Sequence, residues 1–447
     1  MLLLYLLLLL ITLLLVFLLL AVRERQARSS RARNQVTPKY IESMIAYHHP
    51  NVHVKSVDIL NLAQAGDGKA STTDRLSLHL TFDSNPHNII PSNLMLKTTL
   101  LPPSMRIGGA LLPRMAGAIA TFLRPSGLDS LLFWCINQYN FYFPHAPDAM
   151  YMNETKVYRQ LHNELQSIHF NTPKIFGSEE NDKERKWSLL IENLETTANF
   201  PTALEEHELR HVEMLLRSLA RLHGRYWESE RFQDKQDLAF IPIVHQKGNS
   251  MHQVFEALGY GLIRDHVQSN PFEQELLKPL KLSVEQLWEG VQLSKNMLAT
   301  PPLTLCHGDA HIQNTYVTKD GCNVGMFDFQ LTLRACWARD VSYLMGTCMT
   351  EETRRRHEDS LLKMYLGECR KEGGNPPAIF AEAKDLYAKG MAWGLVIGWL
   401  ICPPNNYGKD ILSANVRRLV AACVDLKTFE LLLSGGSASE NGSGKEL

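Results

Sequence analysis

The sequence HGDAHIQN at residues 307–314 decides the fold of this chain, together with FDFQ at residues 327–330. Between them, residues 315–326 hold two short runs around the turn KDG, which is typical of a β-hairpin. Such a hairpin brings Asn314 and Asp328 back towards each other. A surface loop with incidental polar residues is the alternative, but it requires three residue types to coincide at two fixed spacings.

Asp309, Asn314 and Asp328 are the residue types that phosphoryl transfer from ATP requires. Asp309 would act as the catalytic base that positions the attacking hydroxyl. Asn314 and Asp328 would be ligands of the Mg²⁺ ion on the nucleotide phosphates. The spacing matches the protein-kinase catalytic loop H-R-D-x-x-x-x-N, with Gly in place of Arg and D-F-Q in place of D-F-G.

The 447 residues have the composition of a globular protein, with 45% hydrophobic and 21% charged residues. This length holds one large two-lobed domain or two ordinary domains. The formal net charge of -1 gives no sign of nucleic acid as a partner. The eight cysteines begin at Cys135 without a CxxC pair or a zinc-type spacing, so we expect reduced and mostly buried thiols.

The N-terminal residues 1–22 are apolar apart from Tyr5 and Thr12, which is long enough for a helix to cross a bilayer core of about 30 Å. Five arginines and a single glutamate follow in a basic linker at residues 23–38. The positive-inside rule then predicts a single-pass membrane protein with its catalytic domain in the cytosol, on the endoplasmic reticulum or another endomembrane. A cleaved signal peptide is the alternative, but it requires a basic start, a shorter apolar core and a small-residue cleavage site.

Residues 93–97 form an apolar strand that ends in Lys97, whose ammonium group could reach the α- and β-phosphates of ATP. Glu154 stands near the start of a helical pattern, where its carboxylate could hold Lys97 by an ion pair. A solvated lysine at a strand end is the alternative. Gly66 and Gly68 lie in a turn between two alternating strands and could place backbone N–H groups over phosphates, although two glycines in a turn are ordinary.

A possible adenine contact follows the buried strand at residues 187–191, which leaves into Glu192, Asn193 and Leu194. In a kinase the two lobes join at such a place, and the adenine of ATP hydrogen-bonds to the backbone there. We therefore expect these three residues to contribute to nucleotide binding.

Three features of the C-terminal half have structural interpretations. Helical periodicity at residues 206–227 includes His223, which we interpret as a packed core histidine rather than a catalyst. Asp340 stands near the start of a further helix, where its carboxylate would cap the first turn. Residues 390–402 are apolar but too short to span a membrane. We expect a buried helix there, whose tryptophans could also line a substrate pocket.

An apolar insertion occupies residues 107–143, which are rich in Leu, Ala, Phe and Trp and include Arg114 and Arg124. This composition predicts one or two helices inserted in the small lobe, which either pack in its core or lie at the membrane surface. At the other end of the chain, residues 434–447 are rich in Gly and Ser and predict a disordered tail.

The order of these features resembles that of the aminoglycoside phosphotransferase/choline kinase superfamily over residues 40–430. The features are Lys97, Glu154, the joint at 192–194, LARLH at 219–223, HGDAHIQN, FDFQ and RDVSYL at 339–344. Within the superfamily the chain looks most like the ecdysteroid-kinase-like (CHK-type) group, because D-F-Q and R-D-V-S-Y-L point to that group.

The resemblance implies an α+β, bilobal protein-kinase-like fold behind the N-terminal transmembrane helix. A small β-rich N-lobe would span residues 39–195 and would contain the insertion at 107–143. A larger helical C-lobe with the catalytic loop would span residues 196–433.

The resemblance also implies phosphorylation of a small-molecule hydroxyl with ATP and Mg²⁺. Carried over by position, Asp309 is the catalytic base, and Asn314 and Asp328 are the Mg²⁺ ligands. Lys97 is the phosphate clamp, with Glu154 as its partner. An apolar or steroid-like acceptor is one possibility, and choline-like, sugar and lipid-headgroup acceptors stay open.

Two other functions compete with a small-molecule kinase. A catalytically inactive, nucleotide-binding membrane scaffold is the alternative, although no catalytic position is lost. A protein kinase is a third interpretation, which is disfavoured because an A-P-E-like segment and an activation loop between Asp328 and Asp340 are missing from the sequence.

Overall fold

The computed structural model describes residues 27–63, 73–102, 118–127, 129–130, 132–133, 148–243, 250–402 and 404–436. The anchor predicted at residues 1–22, the turn with Gly66 and Gly68, and most of the insertion at 107–143 lie outside these residues. Within the described ranges, no helix is both long enough and apolar enough to cross a membrane.

The chain divides into two compact units. The described part of the first unit lies between residues 27 and 102 and at Ile175–Asn193, and that of the second lies at 118–133, at Ala149–Lys174 and from Leu194 onward. The helix that carries Glu154 therefore belongs to the second unit, although the sequence analysis places it in the N-lobe.

An antiparallel sheet of five strands makes up most of the first unit, in the order β1-β2-β3-β5-β4. The strands are β1 (His53–Ala63), β2 (Asp74–Ser84), β3 (Asn93–Thr98), β4 (Ile175–Asn181) and β5 (Lys186–Glu192), and helices α1 (27–35) and α2 (Pro38–Ile45) precede them. Leu76, Leu78 and Leu80 alternate along β2 and are fully buried, because successive side chains of a strand point to opposite faces. The strands predicted before Lys97 and Glu192 are confirmed.

Helix α1 is part of this folded unit. Ala32 and Val36 belong to the hydrophobic core of the sheet, and Arg28 is only 4% exposed. Arg28 and Ala32 are four positions apart and share one face of the helix, and Val36 follows directly after its end. From residue 27 onward, the segment expected to be a basic linker at 23–38 is therefore folded against the domain.

The ion pair between Arg28 and Asp74 fixes α1 to the sheet. Arg28 Nη1 lies 3.1 Å from Asp74 Oδ1, and both side chains are at most 5% exposed. Arg28→Ala leaves a buried carboxylate with less charge compensation, so we expect the free energy of unfolding in urea to fall by about 3 kcal/mol. Arg33→Ala, at an exposed position of the same helix, is the control and should change it by less than about 0.5 kcal/mol. Equal losses in the two variants would contradict this role of the pair.

The second unit is mainly helical. Its helices are α3 (Asp148–Ser167), α4 (Leu209–Arg225), α5 (Ser250–Ser269), α6 (Pro271–Leu277), α7 (Val284–Leu298), α8 (Ala338–Cys348), α9 (Glu351–Lys371), α10 (Phe380–Trp393), α11 (Pro404–Tyr407), α12 (Lys409–Asp425) and α13 (Thr428–Gly436), with a π-helix at Gly394–Leu400. Its short strands are β6 (Ala198–Asn199), β7 (Thr304–Cys306), β8 (Thr315–Thr318), β9 (Val324–Met326) and β10 (Leu333–Ala335). With the β-rich first unit, this content confirms the α+β class. Helix α13 reaches into the tail predicted at 434–447, so that its first three residues are helical.

The hairpin predicted after the HGDAHIQN stretch is confirmed as the antiparallel pair β8 and β9. Helix α3 is tied to this hairpin through Asn171, which lies a few residues beyond the helix. Asn171 Nδ2 donates to Val324 O at 2.9 Å, and Asn171 O accepts from Met326 N at 3.0 Å. These bonds explain why Glu154 groups with the second unit.

The described part of the insertion packs in the second unit rather than in the small lobe. Phe133 is fully buried against Gly261 of α5, where a Cβ would lie 2.0 Å from the phenyl ring. Asp129 pairs with Arg264 of the same helix at 3.0 Å. These residues therefore pack in the protein core.

Candidate active site

The catalytic loop at residues 307–314 is held by the carboxylate of Asp340. Oδ2 accepts a hydrogen bond from His307 N at 2.6 Å, and Oδ1 accepts one from Gly308 N at 2.9 Å. His223 Nε2 donates to the same carboxylate at 3.2 Å. The expectation that Asp340 caps its own helix is wrong, because α8 has no side-chain cap and the carboxylate bonds to the loop instead.

Asp340 keeps its negative charge although it is fully buried. Burial alone would raise the pKa of this carboxyl. The hydrogen bonds from His223 and from Gly308 N outweigh burial and hold the pKa below its ordinary value. The ionised group has only acceptors, which suits the N–H groups of the loop. His223 is a buried core histidine, as predicted, and it also orients Asp340.

Gly308 has a backbone conformation that favours glycine. Its φ is +85°, and a Cβ at this position would lie 1.9 Å from Leu331 O. Arg339 donates Nε and Nη2 to Gly308 O at 3.3 and 3.1 Å. This loop therefore requires Gly where the protein-kinase loop has Arg, while a guanidinium from α8 holds the same peptide.

Asp309 is held at one carboxylate oxygen and open at the other. Asn314 Nδ2 donates to Asp309 Oδ2 and to Asp309 O, both at 2.9 Å. His311 Nε2 lies 3.7 Å from the same Oδ2, and the Asp309 side chain is 18% exposed. Among the described residues, none hydrogen-bonds to Oδ1. This oxygen can therefore accept a hydrogen bond from an incoming hydroxyl.

The electrostatics of the loop keep Asp309 ionised. Burial would raise the pKa of its carboxyl, but His311 and the hydrogen bond from Asn314 hold the pKa below its ordinary value. The carboxylate is then unprotonated at neutral pH. That is the state in which a base can orient a hydroxyl and later take up its proton.

His307 links the loop to the FDFQ stretch. Its Nε2 donates to Phe327 O at 3.0 Å, and its Nδ1 accepts from Asp309 N at 3.3 Å. Burial lowers the pKa of His307, so the ring is neutral and its single proton lies on Nε2. The ring also packs 4.8 Å from that of Phe329 between centroids.

A backbone hydrogen bond and a strained turn bring the chain at Asp328 back towards the catalytic loop. Phe327 N donates to Asn314 O at 3.0 Å, so the hairpin returns Asp328 towards Asn314 as predicted. Asp328 has φ +69° and ψ +65°, a left-handed conformation that costs a residue other than glycine about 1–3 kcal/mol. Strained residues of this kind cluster at functional sites.

Asn314 and Asp328 offer the oxygen atoms that Mg²⁺ prefers. Asn314 uses its Nδ2 on Asp309, so its amide oxygen is left to face a cation. Asp328 is half-buried and supplies a carboxylate. The donor set therefore fits Mg²⁺, which would supply positive charge for the nucleotide phosphates.

The residues predicted to bind the nucleotide are divided between the units. Lys97 is 7% exposed at the end of β3, in the first unit, and Glu154 is 1% exposed on α3, in the second. Glu192 ends β5, and the boundary between the units falls between Asn193 and Leu194, where the sequence predicts the joint of the lobes. The nucleotide contacts of these residues and the ion pair of Lys97 with Glu154 stay predictions.

His311, Tyr343, Trp399 and Tyr407 form an aromatic cluster beside Asp309, which was not predicted from the sequence. The ring centroid of His311 lies 5.3 Å from that of Tyr343 and 5.6 Å from that of Trp399, and Trp399 lies 4.9 Å from Tyr407. Trp399 belongs to the π-helix, an element that frequently marks functional sites. Only the tryptophans of the apolar run gave a signal in the sequence, because the four rings come from separate segments.

A family model described as ecdysteroid kinase-like matches residues 144–372, just over half of the chain. The chain belongs to the ecdysteroid kinase-like family. The matched region contains the catalytic loop and Asp328, and also Glu154, whereas Lys97 precedes it. The resemblance stated from the sequence is thereby confirmed. A comparison with curated proteins gives no match.

Solved structures of small-molecule kinases are similar to the chain at low identity. An ethanolamine kinase of Plasmodium vivax has 12% identity and a TM-score of 0.40, with 83% of this chain and 82% of that chain covered. A choline kinase from Cryptosporidium parvum Iowa II has 12% identity and a TM-score of 0.39, with 94% and 97% covered. An aminoglycoside phosphotransferase from Streptomyces rimosus has 14% identity and a TM-score of 0.36, with 78% and 96% covered.

The dependence of the loop on glycine can be measured with Gly308→Ala. The new Cβ would collide with Leu331 O and the positive φ would be strained, so we expect the free energy of unfolding to fall by at least about 2 kcal/mol. Gly367→Ala on α9 is the control, because a Cβ there meets nothing within 4 Å. It should raise stability by up to about 1 kcal/mol. Thermal unfolding followed by circular dichroism measures both, and a neutral Gly308→Ala variant would refute the argument.

Proposed function

We propose that this protein is a kinase that transfers the γ-phosphoryl group of ATP to a hydroxyl of a small-molecule metabolite. The observation that carries the proposal is the open Oδ1 of Asp309, on a loop whose backbone is fixed by Asp340. We propose an apolar, steroid-like acceptor, because the family model that matches residues 144–372 is described as ecdysteroid kinase-like.

In the proposed reaction, Asp309 Oδ1 accepts a hydrogen bond from the acceptor hydroxyl and orients its oxygen in line with the γ-phosphorus. A bond forms between that oxygen and phosphorus while the bond to the leaving oxygen of ADP breaks. The hydroxyl proton passes to the Asp309 carboxylate. Because the pKa of Asp309 is held low, its proton uptake comes late, and most of its contribution is orientation of the hydroxyl.

The nucleotide would be held by the residues that the sequence analysis predicts for it. Asn314 Oδ1 and the Asp328 carboxylate would bind Mg²⁺, which neutralises charge on the phosphates. Lys97, held by Glu154, would contact the α- and β-phosphates. The backbone of Glu192–Leu194 would hydrogen-bond to adenine.

We also propose that the N-terminal segment at residues 1–22 anchors the kinase to a membrane, with the catalytic residues in the cytosol. The arginines that follow it support this orientation, and ATP is available on that side. An apolar acceptor partitions into lipid, so the anchor would bring the enzyme to its substrate.

Asp309→Asn tests the assignment of the base. The variant keeps the shape of the side chain but loses its charge, so we expect kcat to fall by about 10²–10⁴-fold without a change in the KM for ATP. Turnover should be followed by ADP release and by mass spectrometry of the product, with ecdysone, choline, ethanolamine and kanamycin as acceptors. Asp359→Asn, at a side chain that is 52% exposed, is the control.

Two outcomes of that experiment would decide against the proposal. An Asp309→Asn variant with half of the wild-type rate would exclude Asp309 as the base. A wild-type protein that binds ATP with Mg²⁺, as seen by a raised unfolding temperature, but phosphorylates none of the acceptors would favour the inactive scaffold.

The proposed topology can be checked in sealed microsomes that contain the full chain. Protease added outside should digest the catalytic domain, because the arginines at residues 23–38 retain it on the cytosolic face. A detergent-opened sample is the control for protease access. Full protection of the chain would show the reverse orientation. So would a glycan on Asn153, which begins the glycosylation triplet Asn153-Glu154-Thr155.

A further inference from the structure

Arg339 is a buried cation whose presence the stability of the fold does not explain. It is the second residue of α8 and is only 3% exposed. In the described part of the chain, no carboxylate lies within ion-pair distance of its guanidinium. Burial lowers the pKa of this group to about 10, so it is still charged at neutral pH. A buried charge without an ion-pair partner destabilises a protein.

The guanidinium is directed at one backbone oxygen of the catalytic loop. Nε and Nη2 both donate to Gly308 O, and hydrogen bonds from a charged donor are stronger than those between neutral groups. Gly308 O belongs to the peptide group that joins Gly308 to Asp309. The other end of that peptide group is also held, because Asp309 N donates to His307 Nδ1 at 3.3 Å. The peptide plane directly before the candidate base therefore has one orientation.

Consecutive residues of α8 hold Gly308 on both sides. The carboxylate of Asp340 accepts from Gly308 N at 2.9 Å, and the guanidinium of Arg339 donates to Gly308 O. A glycine rotates about its backbone bonds more freely than any other residue, so both of its peptide groups must be held to fix the chain that follows. Arg339 holds the group that leads into Asp309.

An aromatic ring holds the guanidinium in turn. Its Cζ lies 3.8 Å from the centre of the Trp393 ring, in a cation–π contact that is stronger when the pair is shielded from water. Trp393 is 6% exposed and is the last residue of α10, directly before the π-helix. Arg339 therefore connects the catalytic loop to the start of the element that carries Trp399.

We propose that Arg339 is a positioning residue for phosphoryl transfer, which sets the direction of the Asp309 carboxylate through the Gly308 carbonyl group. This inference rests on the proposed kinase function. The buried side chain acts through the loop and not by contact with a substrate. Without it the peptide group before Asp309 can rotate, and Oδ1 is directed at the acceptor hydroxyl for less of the time. A misplacement of about 1 Å can lower a rate by about 10²-fold.

The test replaces Arg339 by Met in the full chain, because Met is a long side chain that lacks both the charge and the hydrogen-bond donors. Turnover is measured with whichever of ecdysone, choline, ethanolamine and kanamycin wild type phosphorylates. Arg339→Met should lower kcat on the order of 10²-fold without changing the KM for ATP, because the predicted nucleotide contacts are made by other residues. Arg339→Lys keeps the charge but loses the planar fork, so its kcat should lie between those of wild type and Arg339→Met.

Arg418→Met is the matched control. Arg418 is 9% exposed, and its Nη1 donates to Thr347 O at 2.6 Å. That oxygen lies near the far end of α8 and outside the catalytic loop. The control removes the same kind of buried contact, so it should lower the unfolding temperature but leave kcat close to that of wild type.

Amide hydrogen exchange followed by mass spectrometry gives a second readout, which does not depend on turnover. The segment with Gly308 and Asp309 should exchange faster in Arg339→Met than in wild type or Arg418→Met, because the loop opens locally when its carbonyl contact is lost. If wild type phosphorylates none of the acceptors, the kinase proposal fails, and the positioning of Asp309 is judged by this exchange alone.

Three results would overturn the proposal. A wild-type kcat in Arg339→Met would show that the loop does not need the guanidinium. Equal proportional losses of kcat and of ATP affinity, with a lower unfolding temperature, would make Arg339 a purely structural residue. Unchanged exchange of the segment with Gly308 and Asp309 would mean that other contacts hold the loop.

Discussion

The carboxylate of Asp340 is the constraint on which the catalytic loop depends. It is buried and charged, and it stands against two consecutive backbone N–H groups of the loop at 2.6 and 2.9 Å. Behind it, His223 bonds to Asp340 through Nε2 and to Tyr365 Oη through Nδ1, the latter at 2.6 Å. A buried ion is tolerated only when its bonds are complete, so the backbone at His307 and Gly308 has one geometry.

That fixed backbone gives the two oxygens of Asp309 different surroundings. Asn314, five residues along the same loop, donates a hydrogen bond to Oδ2. The Asp309 side chain remains partly exposed, and no described residue bonds to its Oδ1. His307 connects the fixed loop to the FDFQ stretch by donating a hydrogen bond to Phe327 O. The positions of the candidate base and of both candidate Mg²⁺ ligands therefore follow from one anchored loop and its hairpin.

Sequence reasoning succeeded where the relevant interactions are local. The hairpin, the strand ending in Lys97 and the spacing of Asp309 to Asn314 follow from turn residues, apolar patterns and a contiguous motif. It failed for Asp340, whose partners lie 32 and 33 residues earlier. It also failed for Arg28, whose partner Asp74 is 46 residues away. Hydrophobic periodicity predicts neither contact, because a charged residue is expected to face solvent unless its buried partner is known.

Asp340 and Glu273, two of the buried carboxyl groups of the second unit, differ in how their oxygens are bonded. Asp340 has every oxygen bonded and keeps its charge, so it stabilises the loop that it holds. Glu273 has neither oxygen bonded among the described residues, and the fold alone gives no reason to keep it, since an apolar side chain of similar size would cost less. Asp328 is a similar case, because its left-handed backbone is strained without glycine. The strain at Asp328, which follows the hairpin of the loop that carries Asp309, is a cost that a bound ligand can compensate.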